Sequence, residues 1–252
     1  MMSNNRTALF ADLHSNLEAF EACLADALSQ GATRFVFLGD IVGYNADPVA
    51  LIERIMDIVD SGKGVALLGN HDAACFEDYS KKLNPNALLA INWTRTQLQE
   101  KHINFLKSLP LTIVENDTFF GHASAHNPGD WNYVMDGMSA WRCAEHSGKI
   151  YNFVGHMHDQ MLYYQSSVGK LIRFTPHPGD DVPIGKHRRW VGVVGSLGQP
   201  RDGNPMACYA IFDESQESMS FHRVPYDHYS AAEKVIKAGL PKEFADRLLT
   251  GN

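Results

Sequence analysis

The stretch Val65–Asp72, reading VALLGNHD, constrains this chain most. Four apolar residues run straight into Gly69 and then into an amide, an imidazole and a carboxylate, Asn70, His71 and Asp72. An apolar run bounded by glycine reads as a buried strand, and loops at strand ends are where reactive groups gather. The pattern recurs. ALFADLH delivers Asp12 and His14, RFVFLGD delivers Asp40, and NFVGHMH delivers His156 and His158. A chain built this way is organised around one polar site fed by several strand ends.

The spacing supports that reading. Asp12, Asp40 and Asn70 lie 28 and 30 residues apart, about one βαβ unit each. Leu17, Phe20, Leu24 and Leu28 recur at helical spacing between the first two strands. Val49, Ile52, Met56 and Val59 do so between the second and third, after an Asp47-Pro48 helix start. The first seventy residues therefore predict β-α-β-α-β, a parallel sheet with right-handed crossovers and all carboxyl ends on one side. In an extended exit, residues two apart share a side, which pairs Asp12 with His14 and His156 with His158. Downstream, Asn84-Pro85 opens a helix, a shorter one precedes Pro110, and strands are expected over 111–114, 118–121 and 150–154. A helix is expected over 137–146. Short strands from Gln160 to Val224 predict a second, more antiparallel sheet, and Ser230–Glu233 predicts a capping box.

Length and charge narrow the class. The 252 residues suit one domain spanning 1–252. The net charge of -7 argues against a sequence-independent nucleic-acid binder, although bound cations can still bring in anionic substrates. The cysteines, Cys23, Cys75, Cys143 and Cys208, show no C-x-x-C spacing, which argues against a disulfide framework or a thiolate metal site. No long apolar segment precedes Asp12 and no apolar run is long enough to span a membrane, so a cytoplasmic setting is expected.

Five pieces each follow an apolar run: Asp12-x-His14, Gly39-Asp40, Gly69-Asn70-His71-Asp72, Gly121-His122 and Gly155-His156-Met157-His158. Their donors are carboxylate, amide and imidazole. That mixture suits Mn, Fe or Zn better than calcium and does not choose among the three. In this order the pieces resemble the motifs of the calcineurin-like metallophosphoesterase superfamily. GDIVGYNADP and VGSLGQPRDGNP are similar to its small prokaryotic phosphodiesterase branch. The resemblance implies a four-layer α/β/β/α sandwich, two mixed β-sheets flanked by helices. It implies two divalent or trivalent metals, one held by Asp12, His14 and His158, the other by Asn70, His122 and His156, with Asp40 between. Two such ions roughly 3.5–4 Å apart clamp a phosphoryl group and activate a water. The resemblance further implies that His71 acts on the leaving oxygen and that Asp72 orients its imidazole.

The expected activity is therefore hydrolysis of a small-molecule phosphoester, first a phosphodiester. The alternatives are a phosphomonoesterase or nucleotidase, including action on dinucleoside polyphosphates, and a non-catalytic metal-site scaffold for protein interaction. A scaffold would not need His71 beside a full ligand set. Asn70 and His71 are expected to touch the substrate, and His126 and Arg201 are further candidates, Arg201 against the reading of QPRDG as a plain turn. Trp131 and Tyr133 could line the pocket. Tyr44 and Asn16 follow the motifs but also fit packing and helix capping. His177, His187, His222 and His228 have no motif context and are read as non-ligands.

Overall fold

The computed structural model describes residues 6–79, 82–166 and 168–252; residues 1–5, read above as lacking an apolar leader, lie outside them. Strand β1 (Arg6–Phe10), helix α1 (Leu17–Ser29), β2 (Arg34–Phe37), α2 (Pro48–Asp60) and β3 (Gly64–Ala66) form the expected β-α-β-α-β unit. There follow α3 (Asn70–Ala73), α4 (Pro85–Gln97), α5 (Glu100–Ser108), β4 (Thr112–Glu115), β5 (Thr118–Gly121), α6 (Gly137–Ser147) and β6 (Tyr151–Val154). The remainder is β7 (Gln160–Gln165), β8 (Leu171–Phe174), β9 (Asp181–Pro183), β10 (Trp190–Val194), β11 (Ala207–Asp213), β12 (Ser218–Val224), α7 (His228–Lys237) and α8 (Lys242–Thr250).

Two six-stranded sheets result, ordered β3-β2-β1-β11-β12-β9 and β4-β5-β6-β10-β7-β8. In the first, β1, β2 and β3 are parallel and β11 runs antiparallel to β1. In the second, β5, β6 and β10 are parallel. The strands between Gln160 and Val224 do not make a sheet of their own, as the sequence had suggested. β9, β11 and β12 join the first sheet, while β7, β8 and β10 complete the second. Pairing of this kind is decided by long-range contacts, which local patterning does not carry.

Side-chain alternation produces the layers. Phe10, Phe35 and Phe37 face the helical layer that includes Phe20, Leu51, Ile52 and Ile55. Their neighbours Leu9, Val36 and Leu38, with Phe212 of β11, face the other sheet and meet Phe120, Tyr151 and Phe153. On the far side of the second sheet, Phe119, Tyr163 and Val191 pack on Ala140, Cys143 and Ala144 of α6. This is an α/β/β/α sandwich whose central strands are covered on both faces, so their sequences read as continuous apolar runs. Each fully buried phenylalanine contributes about 2–3 kcal/mol to holding the layers together.

Local details depart from expectation. The buried stripe of α2 is Leu51, Ile52 and Ile55, with Met56 and Val59 only half-buried and Val49 outside it. Asp47 precedes that helix without capping it and pairs instead with Lys234 at 2.7 Å. Helix α7 begins at His228 behind an Asp227 cap, three residues before the predicted capping box, because the Asp227 carboxylate accepts from the backbone N–H of Ser230. All four cysteines are buried and free. Among the described residues no helix is long and apolar enough to cross a membrane.

Candidate metal centre and active-site cleft

Three parallel strands from each sheet deliver the site. β1, β2 and β3 end in Asp12 and His14, Asp40, and Asn70 and His71. β5 and β6 end in His122, and in His156 and His158, and β10 leads into Ser196 and Gln199. The exits are not extended, as the two-apart rule assumed. Asp12, His14, Asp40, His156 and His158 all have positive φ, between 48° and 69°. Such a left-handed backbone costs about 1 kcal/mol or more per non-glycine residue. Cross-links between exits hold it. The N–H groups of Asp12 and His14 donate to the carbonyls of Gly39 and Asp40 at 3.1 and 2.9 Å, and that of Gly198 donates to the carbonyl of Asp12 at 2.9 Å. The kinks turn the side chains inward, where the alternation of a flat strand would not have brought them.

The imidazoles are fixed by their outer nitrogens. Nδ1 of His14 donates to the Val42 carbonyl, Nδ1 of His122 to the Leu38 carbonyl, and Nδ1 of His158 to the Gln199 carbonyl, at 3.1, 2.8 and 2.6 Å. A carbonyl can only accept, so Nδ1 carries the proton and the neutral ring presents a lone pair at Nε2. Those lone pairs converge. Nε2 of His14 and Nε2 of His158 are 3.2 Å apart. Nε2 of His122 lies 3.2 Å from Asn70 Oδ1, 3.1 Å from His156 Nδ1 and 3.4 Å from Asp40 Oδ2. Oδ1 of Asp12 is buried without a hydrogen-bond partner and lies 3.6 Å from His158 Nε2. Acceptors gathered this closely in a dry setting repel unless a cation lies among them.

Protonation alone satisfies the cluster poorly. Burial would lower His122, but the Asp40 carboxylate outweighs it and raises the imidazole to about 9. Burial holds His14 and His158 well below the usual histidine range. Burial, then the His122 charge, push His156 down to about 3. The donor set instead fits metal ions. Asp12, Asp40, His122 and His156 offer atoms all within 4.8 Å of one another, and so do Asp12, His14 and His158. Oδ2 of Asp40 stands 3.8 Å from His14 Nε2 and 3.4 Å from His122 Nε2, between the two groups. Its Oδ1 accepts from the His71 N–H at 2.8 Å, while Oδ2 of Asp12 accepts from the His156 N–H at 2.8 Å.

A family model described as calcineurin-like phosphoesterase matches residues 6–160, more than half of the chain and a span that holds all five motifs as far as His158. The chain belongs to the calcineurin-like phosphoesterase family. It is 34% identical to the uncharacterized protein MJ0912 of Methanocaldococcus jannaschii, covering 99% of this chain and 100% of that one. The crystal structure of a metallophosphoesterase from Sphaerobacter thermophilus superposes with a TM-score of 0.87 at 32% identity, covering 98% and 99% of the two chains. Hypothetical protein PH1004 of Pyrococcus horikoshii shares the fold, with a TM-score of 0.79 at 18% identity and 98% of each chain covered.

A cavity of about 670 Å³ opens over the cluster. Asp40, Asn70, His71, His156 and His158 reach its floor. Tyr44 and Arg201 form one wall. The loop before α6 forms another through Trp131 and Tyr133, whose ring stacks on His156 at 4.0 Å. Arg201 is thus a cleft residue and not merely part of a turn. His126 is not: its ring lies 4.3 Å from that of His146, on α6, and does not line the cavity. Asn16 caps α1 and also donates to the Gly198 carbonyl. His177, His187, His222 and His228 belong to neither ligand group.

Asp72 requires a correction. Its carboxylate accepts from the backbone N–H groups of Val42 and Gly69, each at 3.0 Å, and Nδ1 of His71 has no hydrogen-bond partner. Asp72 therefore clamps the β2 and β3 exits together and does not orient the imidazole. The His71 ring is positioned by packing, 4.5 Å from Tyr44 and 4.9 Å from His14. Gly43 makes room for it, since a Cβ there would lie 2.5 Å from His71 Nδ1. Sequence reasoning also missed Tyr79, Lys82 and Asn84 as cleft residues and Gln199 as the partner of His158. Only the packing of distant segments brings the first three to the cleft and Gln199 against that imidazole.

Proposed function

We propose that this protein hydrolyses a small-molecule phosphoester, a phosphodiester before a monoester, with two transition-metal ions of the Mn, Fe or Zn type. Asp12, His14 and His158 would hold one ion and Asn70, His122 and His156 the other, with Asp40 between. Such ions supply Lewis-acid charge to a phosphoryl group and acidify a water molecule. The observation that carries the reading is the convergence of the Nε2 lone pairs of His14, His158 and His122 on Asp12, Asp40 and Asn70 beneath an open cleft.

The chain's own groups do the rest. Asn70 and His71 face the cavity floor and can donate to the non-bridging oxygens of a bound phosphoryl group. When protonated, a form that burial disfavours and the Asp40 charge favours, His71 gives a ring proton to the departing oxygen and is left neutral. A cleft of this size has room for a substituent on each side of the phosphorus, which favours a diester. The scaffold reading gains no support from a site that keeps His71 beside a complete ligand set.

The test begins with metal-stripped protein reloaded with Mn, Fe, Zn or Mg and offered model mono- and diesters. His71→Asn should retain the metals while turnover falls about 10²- to 10⁴-fold, with a smaller loss for a nitrophenol leaving group than for an alkyl alcohol. Absence of hydrolysis with every metal would replace this reading with the scaffold, and a consistent monoester preference would replace the diester.

A further inference from the structure

The cleft does not end at the metal-ligand cluster. A second lobe of about 540 Å³ adjoins it, and Tyr44, Asn84 and Arg201 line both. Beyond that shared wall the lobe is closed by α8 through Glu243, Phe244 and Arg247. Two guanidinium groups meet here on one neutral acceptor. Nη2 of Arg201 and Nη1 of Arg247 both donate to Oε1 of Gln199, at 3.0 and 3.2 Å. Among the described residues neither arginine has a side-chain carboxylate within ion-pair distance, Glu243 included. Burial, then the Arg201 charge, hold Arg247 below its ordinary range. Arg247 Nε also donates to the Asn252 backbone oxygen at 3.4 Å, yet in a chain of net charge -7 two adjacent guanidinium groups with no side-chain ion pair are not a generic surface feature.

Gln199 itself is fully buried, and its Nε2 has no hydrogen-bond partner. Its carbonyl accepts from Nδ1 of His158 at 2.6 Å. One residue therefore ties the arginine pair to a metal-ligand histidine. The Arg201 guanidinium also lies over the Tyr44 ring, 5.5 Å from its centroid, which restrains its plane. Arginine forks match phosphate oxygens in pairs, and the amide oxygen shared by the two guanidinium groups satisfies only one donor of each.

We propose that this second lobe is an anion subsite, in which Arg201 and Arg247 take a distal phosphate group, so that the substrate is a phosphodiester bearing a second phosphate. The proposal rests on the phosphoesterase reading above and deepens it. Arg201 stands at the junction of the two lobes and Arg247 lines only the second, so Arg247 determines specificity without touching the reacting phosphorus.

The test uses p-nitrophenyl phosphodiesters of alkanediols of increasing length, each ending in a hydroxyl, a carboxylate or a phosphate. The wild-type enzyme should favour a phosphate-ended member over its hydroxyl partner by about tenfold or more in kcat/KM, at the linker lengths that reach the lobe. Arg247→Gln should bring that ratio towards one, chiefly through KM; Arg247→Lys, which keeps charge but loses the fork, reads the same ratio should the glutamine variant not fold. A ratio near one at every length, or one unmoved by both variants, overturns the subsite. Equal preference for the carboxylate-ended series overturns the phosphate assignment. Absence of turnover for all members is a failure of the phosphoesterase reading instead. Calorimetric titration of the metal-free protein with the same compounds then decides the subsite. Tighter binding of the phosphate-ended compounds that Arg247→Gln abolishes supports it, and equal binding overturns it.

Discussion

Gly69→Ala isolates the close approach on which the site is built. Gly69 sits at φ -104°, ψ 171°, an extended conformation that alanine adopts freely. Any cost therefore comes from contact and not from backbone preference. A Cβ at this position would lie 2.1 Å from the Asp40 backbone nitrogen and 2.2 Å from its Oδ1. Relief requires the β2 and β3 exits to part by about 1 Å, several times the roughly 0.2 Å tolerance of a metal-ligand distance. The movement also breaks the 2.8 Å bond from the His71 N–H to Asp40 Oδ1. Loss of a hydrogen bond to a charged acceptor costs about 1.5–3 kcal/mol, and overpacking adds about 1–3. A chain of 252 residues then melts about 5–12 °C lower. Gly129→Ala is the matched control, because its Cβ would meet nothing nearer than Leu111 Cδ1 at 3.8 Å. The assay is thermal unfolding of both variants in chelator, together with metal content after reloading. A Gly69→Ala protein that melts with the control and binds metal like the wild type would refute the argument.

Three further outcomes follow from the same geometry. Gly43→Ala places a Cβ against His71 Nδ1 at a residue with φ +97°; turnover should fall severalfold or more while metal content, measured by elemental analysis, holds. Adding Zn or Mn to the stripped protein should raise its melting temperature in a concentration-dependent manner, because the ions bind the folded chain, and titration should reach two equivalents; a single equivalent would remove the dinuclear assignment. His156 titrates at about 3 in the folded metal-free protein against an ordinary 6.5. A lowered histidine contributes stability that is complete above its unfolded value and is lost as pH falls. The stability gap between wild type and His156→Gln, measured by denaturant unfolding in chelator, should therefore shrink as pH drops from 6.5 towards 3.

Much of this architecture is legible in the residues alone. The run VALLGNHD and its counterparts announce buried strands that end in candidate ligands, and the spacing from Asp12 to Asp40 to Asn70 announces parallel β-α-β units. The metal-ligand candidates are legible for that reason: burial of a strand and the placement of its exit are local properties of an apolar run. Partner choice between strands is not local. Nothing in residues 160–224 says that β10 lies beside β6 while β11 crosses to β1, since each of these segments is apolar on both faces.

The sequence by itself determined the strand ends, the donor types and the family; the tertiary structure decided how those donors meet. Only the folded backbone shows the left-handed turns at Asp12, His14, Asp40, His156 and His158, which are held by hydrogen bonds from segments far away in the chain. Only packing shows that Asp72 clamps two loops, that His126 faces α6, and that Gln199 joins two arginines to His158. The physical reason is the same in each case. A side chain's chemistry belongs to the residue, whereas its direction and its neighbours are set by long-range contacts that no local pattern records.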